Sequence, residues 1–531
     1  MNASQIAKTL STLKSLRSPH ESVWRDCFDH SYPIRGSGFC TEQITAMEAQ
    51  MRKARMIDGT TTDAARILSS GIMSGLTPAN SLWFGMDVGQ ETDEERRWLD
   101  DSADILWQNI HASNFDAAAF EGLIDVVCAG WFALYIDQDM EKGGFTFDLW
   151  PIASVYASAS KAGGKIDTVY REYKLTAEQA VNEFGEANVS EGTRKLAKDK
   201  PQELVKFVHA IYPRTTYMVG AKLAKNMPIA SCKVEVDAKH LVSESGYHEM
   251  PVVVPRWMMI PDSVYAVGPV FDALPDSRTL NELCRMDLAA GDLAIAGMWI
   301  AEDDGVLNPR TVKVGPRKII VANSVDSMKP LQSGSNFEYA ETKIARLQAS
   351  IRKILMADQL QAQDGPAMTA TEVHVRVNLI RQLLGPVYGR LQTEYLQPMI
   401  ERCFGIAYRA GVLGAAPESL AGRNFTVRYL SPLARSQKLE EVSAIDQFVA
   451  GALVVAATDP TVLDNIDMDE AQRFKGEALG VPSSVIRSKA DRDKIREDRA
   501  AANQQAQEEA QQQQMKQQVT DAALKQQGAA A

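Results

Sequence analysis

The stretch from 337 to 411 limits what this chain can become more than any other part of it. Ile344, Leu347, Ile351 and Ile354 recur at spacings of three and four, which puts a narrow apolar seam on one helix. The pattern stops at Gln363-Asp364-Gly365-Pro366. It restarts behind Thr369-Ala370-Thr371-Glu372, a capping box in which hydroxyl and carboxylate each take an open backbone N–H. Val373, Val377, Ile380, Leu384, Val387 and Leu391 keep the alternation going. Pro386 and Pro398 interrupt this second helix, and a kink near Gly385-Pro386 is expected, because proline removes one hydrogen bond and crowds the preceding turn. A helix, a short exposed loop and a long helix are parts of a subunit that packs laterally with its own copies. A ring or bundle is indicated before an active site.

At 531 residues the chain exceeds one simple core, and about two to four structural units are expected. A hydrophobic content of 45% and a charged content of 24% fit a folded soluble protein. The formal net charge of −11 opposes a broad basic face that clamps nucleic acid, but not a protein that encircles DNA without gripping it. Cys27, Cys40, Cys128, Cys232, Cys284 and Cys403 contain no Cys-x-x-Cys pair, which fits reduced thiols better than a disulfide framework or a zinc site. Ile6, Leu10, Leu13 and Leu16 share a helical face near the N-terminus without the apolar core of a signal peptide. No run reaches the roughly 20 apolar residues of a membrane span, so a soluble chain with no membrane partner is expected.

Residues 1–125 read as mostly helical, with one helix carrying Ala64, Ile67, Leu68, Ile72 and Leu76 to a stop at Thr77-Pro78 and another over 91–112. Asp58-Gly59 reads as the turn before the first of these, with Thr60 to Thr62 as caps. From 126 to 265 the signal turns to strands at 131–136, 145–149, 168–173, 205–212 and 252–257, interrupted by a helix over 177–184 behind Thr176. Pro275-Asp276-Ser277 is expected to open a helix reaching Met298, with Asp276 or Ser277 as N-cap. Residues 300–336 read as a small hairpin module with strands at 311–314 and 318–321. A strand at 425–429 and helices over 436–490 follow, the latter with Leu439, Val442, Ile445, Phe448, Val449 and Leu453 on a broad apolar face. The Gln- and Ala-rich end cannot repay chain entropy and is expected as a solvated helix or disorder.

Signatures of catalysis are weak. Gly163-Gly164-Lys165-Ile166 lacks the spacing and hydroxyl of a phosphate-binding loop. Ser11 to Lys14 and Ser158 to Lys161 match Ser-x-x-Lys without supporting motifs. His20, His30, His111, His209, His240, His248 and His374 show no metal-ligand spacing. Neither an enzyme nor a cofactor is expected.

Three segments, taken in order, resemble the portal (head-to-tail connector) proteins of short-tailed, T7-like bacteriophages. The first is Asp58-Gly59-Thr60 through Ser70-Gly71-Ile72-Met73-Ser74-Gly75-Leu76-Thr77-Pro78 to Trp83-Phe84. The second is Pro255-Arg256-Trp257, Gly268-Pro269 and Ala273-Leu274-Pro275-Asp276 to Leu280-Asn281. The third is Met368-Thr369-Ala370-Thr371-Glu372-Val373 with Arg376, Leu384-Gly385-Pro386-Val387 and Pro398.

The resemblance implies an α+β, mainly helical portal fold assembled as a ring, usually of twelve subunits, at one capsid vertex. Its parts would be a wing over 1–265, helical then β-rich, a first stem helix over 266–298, a β-containing clip over 299–336 and a second stem helix over 337–362. A tunnel loop over 361–369, a long kinked wing helix and strand over 370–432, a helical crown over 433–490 and a flexible tail over 491–531 would complete it. It further implies passage of double-stranded DNA into the capsid and out of it. A terminase large subunit would dock first, then tail adaptor and nozzle proteins, among capsid and scaffolding proteins. Assembly in the bacterial host cytoplasm and residence in the virion go with that. The alternative is a structural tail or scaffold component of a virion without a channel.

A polyanion in transit needs few tight contacts, because each phosphate bound by Lys or Arg releases counterions and adds affinity. The loop candidates are Gln361, Ala362, Gln363, Asp364, Gly365, Pro366, Ala367, Met368 and Thr369, with Asp364 their one formal charge. Lys343, Arg346, Arg352 and Lys353 of the second stem helix either touch phosphates or face neighbouring subunits and the capsid, since helical position does not fix which face meets the lumen. Arg310, Lys313, Arg317 and Lys318 of the clip either meet an acidic patch on terminase or adaptor or form a solvated surface. Trp131, Trp257 and Trp299 read as packing residues.

Overall fold

A computed structural model describes residues 2–36, 50–51, 53–89, 92–161, 163–218, 220, 223–296, 298–301, 328–331, 337–360, 385–420, 425–429, 432–456, 459–479, 481, 485, 487, 491–505 and 507. The chain divides into two compact units, Met1–Ser81 with Leu106–Val412, and Leu82–Ile105 with Leu413–Ala531.

In the larger unit, helix α1 (Ala3–Asp29) opens on a reciprocal capping box between Asn2 and Gln5. Ile6, Leu10 and Leu13 are buried as expected, but Leu16 is 62% exposed and Arg17 takes the next inward position. The i, i+4, i+3, i+4 rhythm selects Arg17, and its guanidinium is provided for. It donates to the carbonyls of Ile152 and Val155 at 3.0 and 2.7 Å, pairs with Glu21 and lies 4.0 Å over the Tyr156 ring.

Helix α2 (Thr60–Leu76) runs where the pattern places it, but Gly59 holds the N-cap position without a side-chain cap. The expected threonine caps are used elsewhere: Thr62 Oγ1 donates to Ser31 O at 2.5 Å and Thr61 Oγ1 meets Ser277 Oγ at 2.7 Å. The helix expected over 91–112 is Asp93–Ala112.

Helix α3 (Phe115–Ala129) crosses the point where the sequence turns towards strands. Eleven of its residues are buried, from Phe115 and Ala118 to Cys128 and Ala129. From Gly122 to Ala129 every residue is buried, so that half shows no polar face and no 3.6-residue stripe, which hides it from periodicity.

The β region forms two antiparallel sheets. Ala133–Gln138 lies between Phe145–Trp150 and Val252–Val253. A five-stranded meander orders Val155–Ser158, Thr168–Thr176, Leu204–Pro213, Ile229–Glu235 and His240–Tyr247 consecutively. The first, fourth and fifth of these, and a helix over Glu191–Asp199, go beyond the elements read from the sequence. Their residues mix Ser, Lys, Glu and His with apolar ones, and only pairing makes them strands. The helix Ala177–Phe184 has its expected cap, Thr176, in a capping box with Gln179.

Alternation along Leu204–Pro213 sends side chains to two cores. Val208, Ala210 and Tyr212 pack against Ile6, Leu10 and Leu13 of α1, whereas Val205 and Phe207 pack against Ala177 and Ala180. Between these apolar neighbours His209 is buried, its Nε2 2.8 Å from Ser231 Oγ. Burial, with Lys233 and Arg171 nearby, pushes its imidazole down from 6.5 to about 3. A depressed histidine is neutral in the fold and takes up its proton on unfolding, so its stabilisation is complete above pH 6.5 and shrinks as pH falls towards 3. The expected loss is about 2 kcal/mol by about pH 5. Urea unfolding of His209→Gln should show a visibly flatter dependence between pH 7 and 5; an unaltered slope would remove His209 as its source.

Among the described residues, Cys27, Cys128, Cys232, Cys284 and Cys403 are free thiols. Trp131 packs in the core with its ring centroid 5.5 Å from that of Trp24.

In the smaller unit Phe84–Asp87 pairs antiparallel with Thr426–Tyr429. Helices Pro432–Ala456 and Met468–Leu479 follow. On the first, Val442 is buried but Phe448 and Leu453 of the expected apolar face are 64% and 53% exposed in the single chain. Residues 491–505 of the Gln-rich end are helical, and Arg492 and Arg496 of that helix bind Asp469 at 3.0 and 2.7 Å.

Candidate functional site

The sequence places its candidates on one helix–module–helix–loop arrangement, which starts earlier than expected. Helix α4 spans Pro269–Ala296, with Pro275 inside it. Gly268-Pro269 is the true opening, because proline at the first helical position loses no bond and has φ preset. Asp276 and Ser277 are therefore not caps. Ser277 Oγ bonds the carbonyl of Ala273 at 2.9 Å and faces Thr61, and Asp276 accepts from Ser350 Oγ at 2.7 Å.

Ser350 belongs to helix α5 (Phe337–Ile354). Between α4 and α5 the strand Met298–Ala301 pairs antiparallel with Met328–Leu331, so the chain leaving α4 lies beside the chain entering α5. The two helices thus run antiparallel. This strand pair flanks the hairpin expected at 311–314 and 318–321, which lies outside the described residues. So do Arg310, Lys313, Arg317 and Lys318, and the whole of 361–369.

Lys343, Arg346, Arg352 and Lys353 are on α5. Ile351 is buried, and Ile344, Leu347 and Ile354 are half-buried, so the predicted seam faces the body of the unit. Arg346, Arg352 and Lys353 are exposed and have no ion-pair partner among the described residues, whereas the Lys343 ammonium sits 5.5 Å over the Tyr339 ring. At 100° per residue, Arg346 and Lys353 point away from Ile351 and Arg352 points to the side.

The root of the helix pair is held by polar side chains to which the sequence assigned no such role. Asp58 accepts the Thr60 N–H at 2.8 Å with one oxygen and Gln348 Nε2 at 2.9 Å with the other. Asn281 accepts from Ile57 N at 2.7 Å and donates to Arg55 O at 3.0 Å. Arg278 reaches Asp26 of α1 at 2.6 Å. Asn281 and Asp58 stand inside segments that carried the resemblance; Gln348 and Ser350 carried no signal, being ordinary polar residues on a helix.

Beyond 384 the chain is helical again from 385, with a π turn at Gln392–Leu396 before α6 (Gln397–Arg409). Pro398 offers no N–H to the preceding turn, and one wider turn absorbs the missing bond. This helix is bolted to the sheets by charge. Arg256, 5% exposed, grips Glu394 with two bonds of 2.9 and 2.7 Å, and Arg390 donates to Trp257 O at 2.9 Å. Glu249 lies over Gly405, where an added Cβ would stand 2.6 Å from its carboxyl carbon, and it binds Arg409 and Arg402. Burial works against the Glu249 charge, but the two arginines outweigh it and hold the carboxyl below its usual range. The segments of the resemblance thereby converge: the first meets the second at Thr61–Ser277, and the second lies beside the chain that continues the third at Trp257–Arg390.

Among the described residues no three His, Cys, Asp or Glu side chains gather as a metal site. No helix among them is long and apolar enough to cross a membrane. Lys14, of the first Ser-x-x-Lys match, is paired with Glu172 at 2.6 Å.

Comparison with known proteins supplies what geometry alone does not. The family described as "Bacteriophage head to tail connecting protein" matches residues 3–486. The probable portal protein of Bordetella phage BPP-1 is 27% identical over 514 residues, 93% of this chain and 92% of the relative. The portal protein of Salmonella phage epsilon15 is 29% identical over 522 residues, 94% of this chain and 91% of the relative. A chain from the neck of an empty GTA particle is 13% identical, over 73% of this chain and 90% of that one, at a TM-score of 0.36.

Proposed function

This chain belongs to the bacteriophage head to tail connecting proteins, as a phage portal protein, and from that premise we propose that its copies close into a ring through which double-stranded DNA enters the capsid and later leaves. The observation that carries this is the order α4, paired strands, α5 and, from 385, a further helix, rooted in one body. In this reading α4 and α5 are the stem, 299–336 is the clip and 361–369 the tunnel loop. Exposed apolar residues on the stem, among them Met286, Leu288 and Ile295 on α4 and Tyr339 on α5, face neighbouring copies. Twelve copies is the expected number.

The function is transport rather than bond chemistry. A terminase large subunit supplies ATP hydrolysis from the clip, where Arg310, Lys313, Arg317 and Lys318 would meet acidic groups, and tail adaptor and nozzle proteins succeed it. The ring sits among capsid and scaffolding proteins in the virion, after assembly in the host cytoplasm. Arg346 and Lys353 are the stem cations best placed to meet a polyanion or a neighbour, being exposed and unpaired among the described residues. Lys343 is partly occupied by Tyr339.

End-on electron micrographs of the protein, alone and with scaffold and coat, test the ring. Annular particles with a hole wide enough for duplex DNA are expected; solid cylinders or sheets under both conditions would favour the channel-free structural component. Deleting 362–367 is expected to leave rings intact and to lower genome retention in filled heads. Retention equal to wild type would remove the loop from that role.

A further inference from the structure

Arg17, Arg256 and Arg402, all buried, each give two or more hydrogen bonds to carbonyls or carboxylates. Arg171, half-buried on the strand Thr168–Thr176, makes none among the described residues. Its Nε is buried without a partner, and Oδ2 of the exposed Asp148 stands 3.8 Å from Nη1, beyond hydrogen-bonding reach.

Two more donors in the same condition lie beside it. The guanidinium carbon is 4.9 Å from the centroid of the Trp150 ring and 5.5 Å from that of Tyr173. Trp150 Nε1 and the Tyr173 hydroxyl are both buried with no hydrogen-bond partner. A buried donor left unbonded costs its full desolvation, so three of them around one guanidinium suit an acceptor that comes from elsewhere.

The register of the sheet points the same way. Arg171 is directly opposite His209, and His209 directly opposite Lys233, so three basic side chains cross three strands on one face. Like charges in such positions repel. The fold relieves the row at two places: His209 stays neutral, and Lys233 pairs with Glu183 at 2.7 Å. Arg171 keeps a charge that burial works against, on a planar fork that no described carboxylate grips.

We infer that Arg171, walled by Trp150 and Tyr173, is an oxyanion-binding site that takes a carboxylate or a phosphate from outside the chain. A guanidinium meets two oxygens of such a group at once, which an ammonium cannot. The aromatic walls exclude water and so strengthen the contact, and the Trp150 and Tyr173 donors add to it. Two sources supply this chemistry: a free anion, or an acidic side chain of a neighbouring copy, whose net charge is −11. The site does not rest on the portal reading; its second source does.

Isothermal titration of the full chain with inorganic phosphate and with acetate, at an ionic strength held by chloride, tests the site. Saturable binding is expected, weaker by about tenfold in Arg171→Gln, which removes the charge-assisted bonds. Arg171→Lys keeps the charge without the fork and is expected to bind more weakly too, which decides the matter if the glutamine variant fails to fold. Acetate binding to the monomer but not to rings, with slower hydrogen–deuterium exchange over 168–173 in rings, would identify a neighbour's carboxylate. Equal binding to both forms would identify a free anion. No binding to the wild-type chain, or an affinity unchanged in either variant, overturns the proposal. Binding that emerges only in Asp148→Asn overturns it as well, because the chain's own carboxylate then fills the fork.

Discussion

Gly130→Ala is expected to cost about 3–5 kcal/mol and to leave most of the chain insoluble at growth temperature, the sum of a left-handed backbone and an overlap that no rotamer relieves. Gly130 ends α3 with φ 92, its N–H on Val126 O at 2.8 Å and its carbonyl accepting the Trp257 N–H at 2.7 Å. A Cβ there would stand 2.5 and 2.6 Å from the Cα and N of Val267. Across the same contact, a Cβ on Gly268 would stand 2.5 Å from Val126 O. Backbone meets backbone, so one strand or the other must move, and Pro269 at the head of α4 moves with it. Thermal unfolding compared with Gly59→Ala checks this, since a Cβ at Gly59 meets nothing within 4 Å and its φ of −98 suits alanine. Comparable melting of the two variants would contradict the close approach.

The second large effect concerns the ion pair under the π turn. Arg256→Met should destabilise by about 3–5 kcal/mol, because it strands the Glu394 carboxylate where water reaches it poorly. Arg256 is 5% and Glu394 15% exposed by side chain, and the two bonds between them are the planar fork that lysine cannot reproduce. Removing both charges is a different matter: Arg256→Met with Glu394→Leu should recover most of the loss, since the attraction then no longer has two desolvation costs to offset. A double-mutant cycle measured by denaturant unfolding separates the outcomes. If the double variant is as weak as the sum of the two single ones, the pair is not coupled and the π turn is held by something else.

Both predictions concern contacts that the sequence marked without explaining. Gly268-Pro269 and Arg256 belong to the segment that carried the portal resemblance, yet their partners, Val126 and Glu394, lie more than a hundred residues away and belong to no motif. Helix periodicity located α2 and the seam of α5, because each has one wet and one dry face. It passed over the second half of α3, Gly122 to Ala129, which is dry all round. It set the start of α4 at Pro275 for a related reason: Pro-Asp-Ser is a good opening locally, and only packing against α3 shows that the helix already runs from Pro269. Of the residues proposed to meet DNA or docking proteins, Arg346, Arg352 and Lys353 are exposed on α5, and Lys343 leans on Tyr339.

The sequence by itself determined the family, the alternation of helical and β regions, a long helix on either side of 299–336, and the absence of the usual catalytic signatures. Those features rest on residue type and local spacing, which a chain carries whether or not it is folded. Only the tertiary structure decided that Arg17 and His209 are buried, that Asp58, Thr61 and Asn281 hold the helix pair at its root, and that Gly130 and Gly268 lie backbone against backbone. Each of these depends on which distant segments meet, and a close approach between backbones leaves only a glycine in the sequence, identical to the glycine of any turn.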